Sequence, residues 1–123
     1  MRPLLRLALP ALLALLLWGA LVAPAAAQIR EGRYAVEGNN PDGAPYTGQF
    51  ALQAGPGGAW IAVWQVGNVR LAGLGIIEGG VLCIGFAAEG RPGVAAYQVE
   101  ADGKLRGSWT TGGGVGQETL TPE

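Results

Sequence analysis

Nucleophilic catalysis needs a nucleophile, a base beside it and a group that orients the base, and this sequence is nearly empty of all three. Residues 28–123 contain one serine, Ser108, one cysteine, Cys83, and no histidine. The commonest general base and the commonest transition-metal ligand are therefore missing. Cys83 lies in the apolar run Val81-Leu82-Cys83-Ile84 and reads as a small buried hydrophobe. Glu37 and Glu100 occupy matching places in a repeated motif and read as solvent-facing residues at strand ends, not as a catalytic carboxylate pair. Asn39, Asn40 and Asp42 share residue types with a calcium loop, but the D-x-[DN]-x-[DN]-G order and its distal Glu are not met. Gly112-Gly113-Gly114-Val115-Gly116 lacks the Lys-Ser/Thr of a phosphate loop. The expectation is a protein without catalysis, cofactor or metal.

Binding is the chemistry that remains. Trp60 and Trp64 stand four residues apart, on one face of any strand that holds both. With Trp109 and Phe86 they could line a ligand mouth, or they could fill a core. The segment Gly38 to Gly43, carrying Asn39, Asn40 and Asp42, is the other candidate, because loops on rigid scaffolds carry function more often than strands do. The candidate binding residues are thus Asn39, Asn40, Asp42, Tyr46, Trp60, Trp64 and Trp109.

The elements that must position them are strands. Runs of five to nine residues with alternating or clustered apolar side chains recur along the chain, and no segment sustains a helical period. They cover 33–37, 46–53, 60–66, 69–77, 81–88, 94–100, 104–110 and 116–121. Between them stand the turn sequences Asn39-Asn40-Pro41-Asp42-Gly43, Gly55-Pro56-Gly57-Gly58, Gly67-Asn68, Glu78-Gly79-Gly80 and Asp102-Gly103. Short links imply antiparallel neighbours, and eight such strands lose both edges by closing on themselves. An all-β, eight-stranded up-and-down meander barrel is expected, with a two-sheet sandwich as the alternative.

Residues 1–27 read differently. Arg2 and Arg6 precede a leucine-rich apolar run, and Ala25-Ala26-Ala27 follows Pro24, the layout of a secretory signal peptide with cleavage after Ala27. The single domain is then 28–123, and the protein is expected in the periplasm or outside the cell, with no stable membrane span once the leader is removed. Two of the eight Lys and Arg fall in the leader, so 28–123 carries six against nine acids, a net charge of −3. That field offers nothing to a nucleic-acid backbone.

One hairpin motif occurs twice. Tyr34-x-Val36-Glu37, Asp42-Gly43 and Tyr46-x-Gly48-x-Phe50 match Tyr97-x-Val99-Glu100, Asp102-Gly103 and Leu105-x-Gly107-x-Trp109. The first copy is longer by four residues, Gly38 to Pro41.

The stretch Y-x-V-E-G-x-N-P-D-G-x-x-Y-x-G at Tyr34 to Gly48, the Trp-rich strand Trp60 to Trp64, D-G-x-L-x-G-x-W-T at Asp102 to Thr110 and G-x-E-x-L at Gly116 to Leu120 carry a resemblance. They resemble small exported bacterial proteins often labelled fibronectin-binding, and the resemblance implies adhesion to a host or envelope macromolecule. In shape the expected barrel is similar to those of the lipocalins and avidins. Two functions follow as expectations: an exported binding protein for such a macromolecule, or a lipocalin-like carrier or sensor of a small apolar ligand.

Overall fold

The computed structural model describes residues 28–123; the expected leader, 1–27, lies outside the described residues. Eight strands form in chain order: β1 Gly32–Asn39, β2 Pro45–Ala54, β3 Trp60–Val66, β4 Val69–Glu78, β5 Val81–Ala88, β6 Arg91–Val99, β7 Leu105–Thr110 and β8 Gly116–Pro122. Each pairs antiparallel with the next, and β1 pairs with β8 from Tyr34↔Pro122 to Asn39↔Gln117, which closes the barrel. The sandwich alternative is thereby excluded. Among the described residues no helix is long and apolar enough to cross a membrane.

Alternation along the strands sorts the side chains. Tyr34, Val36, Phe50, Leu52, Ala62, Trp64, Leu82, Ile84, Ala95, Tyr97, Leu105 and Leu120 face inward and form the core. Tyr34, Leu52, Leu82, Leu105 and Leu120 fill the end where β1 begins and β8 finishes. There Ile29, Trp60, Ile77 and Val99 pack against the core, and the Tyr34 hydroxyl donates to the Arg30 carbonyl, so the chain's approach to β1 caps this end.

Cys83 corrects the sequence reading. It is exposed, because in β5 Leu82 and Ile84 take the two inward places and the pleat turns the residue between them outward. Its strand looked wholly buried in sequence because the outer wall there is also apolar. Leu74 (66% exposed), Ile76 and Val94 stand on β4 and β6 beside it.

The repeated hairpin also differs from expectation. Both copies close on five-residue loops, 40–44 and 100–104, with the same bonds. Asn40 N–H donates to Ala44 O and Gly43 N–H to Asn40 O, as Glu100 N–H does to Lys104 O and Gly103 N–H to Glu100 O. Asp42 Oδ1 accepts from Ala44 N–H at 2.9 Å, and Asp102 Oδ1 from Lys104 N–H at 3.0 Å. Gly43 and Gly103 share φ near +90° (91° and 88°), which the turn requires and a side chain resists. The four extra residues of the first copy therefore lengthen the β1–β2 ladder, to Asn39↔Pro45, and leave the loop unchanged.

Candidate functional site

The other end of the barrel is only partly filled. Where β1, β3, β5 and β7 finish, a cavity of about 710 Å³ opens, lined by Tyr46, Trp64, Val66, Leu71, Phe86, Tyr97, Trp109 and Glu118, with Asn40, Glu89, Arg91 and Thr111 at the rim. Small-molecule sites commonly span roughly 300–1,000 Å³. Leu52, Leu82, Leu105 and Leu120 lie in the opposite half of their strands and do not reach this volume.

Three lining aromatics hold their places through glycines on neighbouring strands. Tyr46 is paired with Gly38, Phe86 with Gly93 and Trp109 with Gly116. A Cβ on any of the three glycines would sit 2.3–2.4 Å from the ring opposite it. Each ring therefore lies flat over bare backbone, close to the wall, and the space it vacates becomes cavity. Aromatic contacts connect the rings: Tyr46 meets Trp109 edge-on with centroids 6.4 Å apart, and Trp64 meets Phe86 tilted at 5.3 Å.

At the inner end of the cavity lies Glu118, 6% exposed and the one buried charged residue among those described. Its Oε1 accepts from the Tyr46 hydroxyl at 2.9 Å, and its Oε2 accepts from Trp64 Nε1–H at 3.2 Å and from the Tyr97 hydroxyl. Trp109 Nε1–H donates to the Tyr46 oxygen at 2.8 Å, which leaves the Tyr46 proton for Glu118. Burial in low dielectric, reinforced by the Glu118 charge, raises both phenols well above the ordinary tyrosine value, so they remain neutral donors. No buried side-chain nitrogen or oxygen among the described residues lacks a partner.

Of the residues singled out in sequence, Tyr46, Trp64 and Trp109 meet in this network, with Asn40 at the rim. Trp60 does not line the cavity; it packs on the core at the closed end. Four residues separate Trp60 from Trp64 by about 13 Å along the strand, so one shared face is not one shared site. Asp42 serves its own loop, and Asn39 is an exposed residue at the end of β1. Sequence reasoning did not single out Glu118. The available signal was parity: Gly116, Glu118 and Leu120 share one face of β8, and a leucine there argues that the face is inward.

Metal binding has no support in this geometry: no group of three or more His, Cys, Asp or Glu converges among the described residues. The molecule is an up-and-down β-barrel, packed at one end and hollow and aromatic-lined at the other.

No protein-family model matches the chain, and no curated protein sequence is similar to it. Solved structures are similar in shape. The fluorescent protein UnaG matches in its wild-type form and in a single-residue variant, each with a TM-score of 0.50 at 14% identity over 76% of this chain; the match covers 96% of the wild-type chain and 95% of the variant. At that identity the likeness concerns the fold. It bears out the barrel and adds nothing to the resemblance with fibronectin-binding-labelled proteins.

Proposed function

We propose that this chain is a non-catalytic carrier or sensor of a small, largely apolar ligand held in the open half of the barrel. The observation that carries the reading is the cavity itself: about 710 Å³, walled by aromatic and aliphatic side chains, with one cluster of polar groups at its inner end. That combination of an apolar wall and few fixed polar groups is the usual build of a small-molecule site. The leader-like residues 1–27 support a task outside the cytoplasm.

Adhesion through the Asn39–Asp42 loop draws less support. Asp42 and Asn40 spend their side chains on the loop's own backbone, Asn40 Nδ2 donating to Ala44 O at 3.3 Å. Exposed large apolar residues cluster on the barrel wall around Leu74, Ile76 and Val94.

Native mass spectrometry of the protein purified from its own cells tests the proposal. A small-molecule adduct that disappears on denaturation is expected, and Leu71→Trp, which fills the mouth, should remove it while the far-ultraviolet spectrum stays that of a β-barrel. An adduct that persists in Leu71→Trp would place the ligand elsewhere and refute the reading.

A further inference from the structure

The polar inner end of the cavity is one-sided. Every donor there is committed: the Tyr46 and Tyr97 hydroxyls and Trp64 Nε1–H to Glu118, and Trp109 Nε1–H to Tyr46. A carboxylate offers about four lone-pair sites. Three are taken, and Oε1 holds a single protein partner. The unused capacity at this depth is therefore acceptor capacity. A ligand carboxylate or carbonyl reaching this point would find no free donor and would face a buried negative charge.

The same wall suits the opposite charge. Tyr46, Trp64, Phe86, Tyr97 and Trp109 surround the position in front of Glu118, and aromatic faces attract cations through their quadrupoles, most strongly where water is excluded. The one basic side chain along the lining, Arg91, stands exposed at the rim beside Glu89.

We propose that the ligand is an apolar organic cation, an ammonium or protonated ring nitrogen seated against Glu118 inside this ring of aromatic side chains. This rests on the carrier reading and names its ligand class. The geometry selects by head group: the cation gains a carboxylate and several π faces, a neutral alcohol gains one acceptor, and an anion gains neither. A single apolar body carrying the three head groups in turn isolates that choice.

Calorimetric titration with decylammonium, decanol and decanoate, each below its micelle-forming concentration, provides the test on the unaltered protein. Decylammonium is expected to bind more than tenfold tighter than decanoate, with decanol between them. In Glu118→Gln, which keeps the shape of the side chain, the ratio of ammonium to carboxylate affinity should collapse towards one. Decanoate binding as well as or better than decylammonium would overturn this inference and leave the carrier reading standing. Failure of all three to bind would overturn both.

Discussion

Raising the pH should leave Tyr46 and Tyr97 silent until the barrel itself gives way. The chain has three tyrosines, and burial lifts each above its ordinary value. Tyr34 is held up by desolvation, partly offset by the nearby Arg30 guanidinium; Tyr46 and Tyr97 are raised by desolvation and then by the Glu118 charge. The folded state thus keeps protons that the unfolded chain begins to release near pH 10. Stability is full below that pH and falls as pH rises, by about 1.4 kcal/mol per unit for each of Tyr46 and Tyr97 and so about 2.7 kcal/mol per unit for the pair. A domain of about 8 kcal/mol, within the usual range, would unfold about three units above pH 10. Absorbance at 295 nm, followed with far-ultraviolet circular dichroism, should show no more than one of the three phenols, Tyr34, ionising while the β signal lasts. The other two should ionise in one step together with loss of that signal. A second phenol ionising with a midpoint near pH 10 while the β signal persists would refute the assignment of both polar tyrosines to a dry, carboxylate-centred network.

Glu118→Ala strands three donors at once and should destabilise the barrel by at least about 3 kcal/mol in urea unfolding, whereas Glu118→Gln, which can still accept at one oxygen, should cost about 1–2 kcal/mol. Gly116→Ala places a methyl against the Trp109 ring, breaks its bond to Tyr46 and should cost about 1–3 kcal/mol with a red-shifted tryptophan emission; Gly85→Ala, which meets open space, should change neither unfolding nor emission. Asp42→Ala and Asp102→Ala remove the same turn bond and should each cost about 1 kcal/mol by urea midpoint. If Asp42→Ala instead left stability unchanged and lowered ligand affinity, the loop would have the recognition role that the geometry denies it.

Strand order and closure were legible in the sequence because both depend on local signals: turn residues at short intervals, and alternation between them. The site was legible only in pieces. Trp64, Tyr46 and Trp109 could be named as aromatics of interest, but Glu118, the partner of the first two, lies 54 and 72 residues from them in the chain, and Trp109 meets Tyr46 across 63. Period-two alternation assigns a face and carries no information about height along the barrel, so it could not separate Trp60 from Trp64. Height is decided by which half of the interior the bulky residues fill, a property of eight strands together. Cys83 failed for a related reason, since an apolar outer wall erases the contrast that marks inside from outside.

The packed and hollow halves divide the molecule across its strands instead of between them, so each strand runs from a crowded floor to an open rim. Amide exchange should then be graded along individual strands, slow near Tyr34, Leu82 and Leu105 and fast towards Val66, Ala88 and Thr110. Such a gradient lets the rim breathe to admit or release a guest while the floor preserves the barrel's registration, with no separate lid required.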